Sequence, residues 1–521
     1  MENTIFSLVP PVVVILMVMI TRRVILSLGV GIVTAALLLS NFSLGKTFFI
    51  LWEAVKGIFI SDHTWNTWSI FILLFLILLG VVTAFTNILG GSKAFGEWAM
   101  KRVKSRTGAQ VMTAIVGIII FIDDYFNSLI VGQISRPVTD SYRVSRAKLA
   151  YIIDSTSAPV CVVSPISSWG AYIIGILGTI FTLHHVTEYS PLTAFIKMIP
   201  MNLYVWAALA IVFIVAFWGI DFGPMKKHEA RAVRTGEVVD KNKTISGDFM
   251  NPLPVCENGT VGDLIWPLAS LVAATVLAML WTGYEAIDGG KVSILTIFEN
   301  TDVAKSLLYG GLGGLFVTLG IFVYKSFVKK SINPNTFIVG VKEGVKSMVP
   351  ACIILIFAWT IVTLIDEFQT GDYLASLVQQ SNIHISLFPF LLFIVAGMMA
   401  FVTGTSWGSF GILLPIAGEI AVSTDMNMLL PALSAVLAGT VFGDHCSPIS
   451  DTTILSSTGA GSNHIDHVIT QLPYAFAAAC IAAIGYLMLG ITESTLASLA
   501  AVIVGLFILA VIVKKQNFNE S

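Results

Sequence analysis

Charge is scarce in this chain. Asp, Glu, Lys and Arg supply 12% of its 521 residues, about half the share of a soluble domain. Apolar residues supply 56%, and the mean hydropathy is +0.86. That balance points to an integral membrane protein rather than a water-soluble one. A net charge of −2 offers no basic surface, so no nucleic-acid partner is implied. Cysteine is sparse too. Cys161, Cys256, Cys352, Cys446 and Cys480 are scattered, and no C-x-x-C pair occurs. This spacing argues against a disulfide framework or a zinc site. The first apolar run, Phe6 to Ile20, contains Pro10-Pro11 and no A-x-A-like cleavage site. It is expected to be a retained first helix.

Long uncharged runs are what the chain has in quantity. Segments near 5–20, 24–40, 68–89, 200–220, 263–284, 303–324, 349–366, 468–491 and 495–513 are predominantly apolar. Each suffices for a membrane-spanning helix of roughly 17–25 residues. Two further regions fold around a polar centre: 108–135, on Asp123 to Ser128, and 386–422, on Thr403 to Ser409. Two more, 147–182 and 429–463, are interrupted by the same tetrapeptide, Ser164-Pro165-Ile166-Ser167 and Ser447-Pro448-Ile449-Ser450.

Charge placement orders these segments, because cytoplasmic loops carry the Lys/Arg excess. Lys101, Arg102, Lys104 and Arg106 precede 108–135, and Arg136, Arg143, Arg146 and Lys148 follow it. That run is expected to enter and leave on the cytoplasmic side as a re-entrant hairpin. The second hairpin has acidic flanks, Asp366, Glu367 and Asp372 before it and Asp425 after it, and is expected to enter from outside. The basic loop 221–262 and the Lys514-Lys515 tail fall inside. One topology satisfies every loop: about 11 spans plus 2 hairpins, N-terminus outside and C-terminus cytoplasmic.

The duplication is wider than the tetrapeptide. Gly91 matches Gly371, Ser128 matches Ser409 and Ser164 matches Ser447, at offsets drifting only from 280 to 283. Five spans separate the starts of the two units, and an odd number inverts the second copy. The expected fold is therefore an all-α polytopic membrane protein with inverted repeats, each holding a re-entrant hairpin and a broken transmembrane helix. Its regions are 1–67 (N-terminal spans), 68–220 (repeat 1), 221–262 (basic linker), 263–348 (connecting spans), 349–491 (repeat 2) and 492–521 (last span and tail). Inverted repeats of this kind place a substrate and ion site near the midplane, between the copies.

Ionisable groups at membrane depth are costly and mark ion or proton pathways. Asp123 and Asp124 are adjacent at the first hairpin centre, followed by Asn127 and Ser128; the structural alternative is that one Asp caps a hairpin helix. Asp154 precedes the first break with Ser155, Thr156 and Ser157; in a continuous helix, Asp154 and Ser157 would share a face. The bland role for such hydroxyls is back-bonding within the helix. Asp444, His445, Asp451, Thr452 and Thr453 surround the second break with Ser447 and Ser450, and Ser164 and Ser167 flank the first. Histidine suits proton exchange near neutrality. The tip Thr403, Gly404, Thr405, Ser406 and Ser409 lets backbone carbonyls approach an ion. Na+ is expected near Asp123, Asp154 and Asp451. The glycine pairs at 310–311 and 313–314 read as close helix packing. Trp65 and Trp68 read as interfacial anchors. His63, His184, His185, His464 and His467 read as span-end residues at headgroup level.

The stretches 121–128, 154–159, 404–408 and 443–453 resemble the NhaC-type Na+/H+ antiporter family, over roughly 68–220 and 300–490. The resemblance implies exchange of Na+ for H+ across the bacterial inner membrane, with Asp123, Asp124, Asp154, Asp444 and Asp451 handling ions and protons. No cofactor beyond the transported Na+ and H+ is expected. Because the family includes malate/lactate exchangers, the alternative cargo is an organic acid or amino acid coupled to Na+ or H+. Partners are these ions, membrane lipid and a second copy in a homodimer. An intramembrane enzyme is the reading from another class. It is disfavoured because catalysis needs no inverted copy of its site.

Overall fold

The computed structural model describes residues 4–21, 23–61, 64–121, 123–165, 167–240, 243, 245, 253–287, 292–370, 373, 376 and 384–519. The expectations for His63, Ile166 and Gly371 concern residues outside this set. Apart from a two-residue antiparallel pair, Ile60–Ser61 with Thr64–Trp65, the described elements are helical. Nine described helices are long and apolar enough to cross a membrane, or ten when a pair bent by 47° counts as one span.

The first three helices, α1 (Val9–Thr21), α2 (Val24–Leu39) and α3 (Leu44–Phe59), precede the first copy of the repeat. That copy starts with α4 (Thr67–Ile88) and α5 (Gly91–Met100). The hairpin is α6 (Arg106–Ile119) and α7 (Asp124–Ser141). The broken helix is α8 (Arg146–Thr156), a single turn α9 (Ala158–Cys161) and α10 (Ser168–Leu183). The bent pair α11 (Pro191–Met198) and α12 (Leu203–Trp218) closes it. A linker helix, α13 (Met225–Thr235), and three more, α14 (Gly262–Glu285), α15 (Ile294–Glu299) and α16 (Val303–Val323), lead to the second copy. There α17 (Thr336–Glu367) is followed by a hairpin, α18 (Phe388–Thr403) and α19 (Ser406–Thr424). The second broken helix is α20 (Leu429–Cys446) and α21 (Asp451–Ala460); α22 (His464–Thr492) and α23 (Thr495–Asn519) end the chain.

Both Ser-Pro-Ile-Ser breaks end in the same cap. Ser167 Oγ accepts the Gly170 N–H at 2.9 Å, and Ser450 Oγ accepts the Thr453 N–H at 3.5 Å. The last serine of each tetrapeptide thus restarts a helix by satisfying one of its free donors. One expectation needs correction. The first broken helix is interrupted a second time, at Ser157 (φ −89°, ψ −96°), so Asp154 and Ser157 do not share a helical face. Pro159, just inside α9, favours that restart.

Each hairpin tip is tied to its own broken helix. Asn127 Nδ2 donates to the Thr156 carbonyl at 3.1 Å and Ser157 Oγ to the Asp124 carbonyl at 2.7 Å. In the second copy, Ser406 Oγ donates to the Thr440 carbonyl at 3.1 Å and Ser447 Oγ to the Phe401 carbonyl at 2.8 Å. These bonds hold re-entrant tips at the depth of the breaks. Where helices touch most closely, glycine replaces side chains: a Cβ on Gly132 of α7 would collide with Gly459 of α21. The glycines at 310 and 314 press α16 onto Thr275 and Leu271 of α14, as expected for close packing.

Two large apolar clusters make up most of the interior. One joins α10, α12, α18, α19, α20 and α22; the other joins α4, α7, α14, α16, α17 and α21. The polar residues of both copies gather at the seam between them.

The linker is docked rather than free at its start. Glu229 of α13 accepts the Ser145 N–H at 2.7 Å and pairs with Arg106. Lys148, fully buried, lies 2.8 Å from Asp221 and 3.4 Å from Glu229. The first helix of the hairpin, the start of α8 and the linker are thereby pinned together.

Candidate functional site

The N-termini of both re-entrant tips and both restarted helices, together with that of α16, converge on one cavity of about 490 Å³. Asp123, Asp124 and Tyr125 come from α7, Ser168 and Tyr172 from α10, Thr405 and Trp407 from α19, and Asp451 from α21. Trp68 and Ile72 of α4 and the segment Phe298–Val303 complete the lining. A smaller cavity of about 350 Å³ shares Trp68, Thr405 and Asp451 with it. The break geometry explains the convergence: each re-entrant tip and each restarted helix begins at the same depth, presenting free backbone N–H groups and the positive end of its dipole.

The two adjacent aspartates have different jobs. Asp123 caps α7, accepting the Phe126 N–H at 3.0 Å, and its other oxygen accepts Ser168 Oγ at 3.0 Å. This is the structural alternative raised for one of the pair. Asp124 Oδ2 is buried without a hydrogen-bond partner, and the unpaired Trp169 indole N–H faces the same carboxylate. Asp123, Asp451 and Asp444 all lie within coulombic reach of Asp124. Tyr125 donates its hydroxyl to Asp451, whose other oxygen accepts the Thr452 N–H at 2.9 Å. Asp444 accepts Thr452 Oγ1 at 3.3 Å, and its Oδ1 is a second buried, unpartnered oxygen. No lysine or arginine ion pair to these four carboxylates is found among the described residues. Among those residues, no three His, Cys, Asp or Glu side chains converge as a metal centre would require. A cation here would be held by a few carboxylate oxygens together with hydroxyls and carbonyls.

Asp154 does not line this cavity. It belongs to a second buried set, accepting His467 Nε2 at 3.0 Å, Gln471 Nε2 at 2.7 Å and Ser456 Oγ at 3.2 Å. His445 joins this set rather than the carboxylates: its Nε2 meets Ser155 Oγ at 3.1 Å and its Nδ1 meets Tyr204 at 2.7 Å. The three carboxylates expected near Na+ are therefore divided, with Asp123 and Asp451 at the cavity and Asp154 apart. A chain of hydroxyls connects the sets. Ser456 Oγ lies 3.1 Å from Ser128 Oγ, Ser128 meets Ser157 at 2.9 Å, and Ser157 donates to the Asp124 carbonyl.

Several other candidate residues hold backbone together. Thr156 Oγ1 back-bonds to the Ile152 carbonyl at 2.9 Å, Ser164 Oγ to Val160 at 2.8 Å and Thr403 Oγ1 to Met399 at 2.9 Å. Ser409 Oγ donates to the Thr405 carbonyl at 2.7 Å, and Thr453 Oγ1 to the Asp444 carbonyl at 3.5 Å. Gly404 is left-handed (φ +70°) and a Cβ there would press on Ile449, so only glycine suits this hairpin turn.

Two of the histidines read as span-end residues have interior partners. His464 and His467 are buried, 5% and 0% exposed, His464 bonding the Pro448 carbonyl at 2.9 Å and His467 pairing with Asp154. They stand at the start of α22, a candidate span, and face the bundle interior rather than solvent. Trp68 packs against Trp359, ring centroids 5.4 Å apart and planes tilted by 56°, and lines the cavity instead of only anchoring an interface. Sequence reasoning also missed Tyr125, Ser168, Tyr204, Ser456, Trp407 and Gln471. Ser168 could have been found, since it matches Asp451 at the repeat offset of 283.

A duplicated hairpin and broken helix around buried carboxylates define a polytopic membrane transporter. A family model described as the Na+/H+ antiporter family matches residues 160–491. The chain belongs to that family. An uncharacterized protein of Haemophilus influenzae is 45% identical over 99% of this chain and 96% of its own length. An uncharacterized Na+/H+ antiporter of the same organism is 36% identical, over 26% of this chain and 29% of that one. A malate-2H+/Na+-lactate antiporter of Bacillus subtilis is 31% identical, over 30% of this chain and 32% of that one.

Proposed function

We propose that the protein exchanges Na+ for H+ across the bacterial inner membrane by alternating access, N-terminus outside and C-terminus cytoplasmic. The observation that carries this reading is the pair of buried oxygens without a hydrogen-bond partner, Asp124 Oδ2 and Asp444 Oδ1, in a cluster that has no lysine or arginine ion pair among the described residues. An ionised carboxylate at bilayer depth costs about 2.5–3.5 kcal/mol on insertion scales. It is retained where a proton or a cation takes the vacant position, and a hard cation favours oxygen ligands. Asp124, Asp444 and Asp451 bind Na+ when deprotonated and release it on protonation, so one site serves both ions in turn. Asp123 positions the tip by capping α7. Asp154, His467 and His445 carry protons between the cluster and the cytoplasm.

The charge-derived orientation supports this division of roles. The acidic loop 285–302, external by its charge, brings Asp302 to the large cavity, which supports an outward opening. The seam between two apolar clusters supports rocking of one bundle against the other. A second reading on the same fold is favoured by the cavity volume, which exceeds what a bare cation fills: Na+- or H+-coupled carriage of a small organic compound. Purified protein in proteoliposomes with an internal pH-sensitive dye tests the first reading. Na+-driven proton movement that is saturable and needs no organic compound is expected. Proton movement that requires one would replace the first reading with the second.

A further inference from the structure

Resting on the transporter reading above and deepening it, we propose that the large cavity takes a monovalent organic cation, an ammonium group carried on an apolar or aromatic body. Size is the first reason. About 490 Å³ corresponds to roughly sixteen water volumes at about 30 Å³ each, and lies within the range of small-molecule sites.

Charge is the second. Asp123, Asp124 and Asp451 line the cavity, and among the described residues no Lys, Arg or His is in its lining. Asp302, at the same cavity, is occupied in capping α16, accepting the Lys305 N–H at 2.9 Å. Five helix N-termini reach the cavity, that of α16 included, and at roughly +0.5 charge each they offset between two and three of the four carboxylates. The remainder is between about one and two negative charges, most of which one monovalent cation neutralises. An organic acid would add to that excess and find no basic side chain among the described lining residues to pair with.

The walls supply the third reason. Trp407 and Tyr172 line the cavity with ring centroids 4.9 Å apart, and Trp68 and Tyr125 line it with centroids 6.5 Å apart. Aromatic faces attract an ammonium group and pack against an apolar body. Asp124, in the same lining and only 2% exposed, has an oxygen without a hydrogen-bond partner. A bound N–H or an alkylammonium would satisfy it.

The test uses full-length protein in detergent and compounds sharing one body: benzylammonium, benzyl alcohol and benzoate. Binding is followed by calorimetry and by thermal stabilisation, which scales with occupancy. Benzylammonium is expected to bind at least about tenfold more tightly than the neutral alcohol, corresponding to about 1.4 kcal/mol. Na+ should displace it. Trp407→Leu should weaken it about tenfold, and Asp124→Asn should erase the preference for the cation. If Trp407→Leu does not fold, the ligand series and Na+ competition on the unaltered protein decide. Benzoate binding as tightly as benzylammonium overturns the inference in favour of an organic acid. Na+-driven exchange with no response to any of the three compounds overturns it while leaving the Na+/H+ reading intact. Proton movement driven by the ammonium compound but never by Na+ does the reverse.

Discussion

Replacing Asp154 by asparagine separates a charged pair from an ordinary hydrogen bond. Three donors and no acceptor converge on this carboxylate, the environment of the ionised, acceptor-only form. His467 is the one group among the three donors that can carry positive charge, at 3.0 Å. At that separation the gross attraction is about 5.5 kcal/mol for an effective dielectric of about 20, much of it offset by desolvation. Breaking such a buried pair from one side costs about 3–5 kcal/mol. Hydrogen bonds inside membrane bundles couple by only about 0.6 kcal/mol on average, about 1.7 at most. A double-mutant cycle of Asp154→Asn, His467→Gln and the pair together therefore discriminates. Equilibrium unfolding in mixed micelles should give a coupling above about 2 kcal/mol. Each single variant should also lose at least about tenfold in exchange rate. A coupling near 0.6 kcal/mol, with exchange intact in His467→Gln, would refute both the charged pair and its role in proton transfer.

Other outcomes follow from the same geometry. Asp123→Asn keeps a good N-cap and should retain substantial Na+-driven exchange, whereas Asp124→Asn should abolish it; equal loss in both would remove the distinction drawn between them. Lys148→Met leaves Asp221 and Glu229 buried and unpaired, and should destabilise the protein by about 3–5 kcal/mol, read as earlier unfolding. Burial of His228 in the docked linker pushes its ionisation below the usual histidine range. Its docking should be fully present above about pH 6.5, the unfolded value, and be lost as pH falls from there. Hydrogen exchange in α13 between pH 5 and 8 checks this, and His228→Gln should flatten the profile.

Legibility tracked the range of the physics. Apolar run length, loop charge and the Ser-Pro-Ile-Ser duplication are local or additive signals, so spans, hairpins and breaks could be read directly. Even the caps were implied, because a serine before a restarted helix has a short-range task. The second break at Ser157 was not, since it depends on the tip residue Asp124 presenting its carbonyl to that hydroxyl.

The membrane class, the inverted repeat and the carboxylates at its breaks follow from sequence alone, because hydrocarbon tolerates interruption and charge only where protein encloses them. Which carboxylates share a cavity was decided by tertiary structure. Asp123 and Asp451 are 328 positions apart and meet; Asp123 and Asp154 are close in sequence and serve separate sets. His467 shows the same limit. At a span end it reads as a headgroup residue, and only packing of α22 against α8 gives it Asp154 and an interior role.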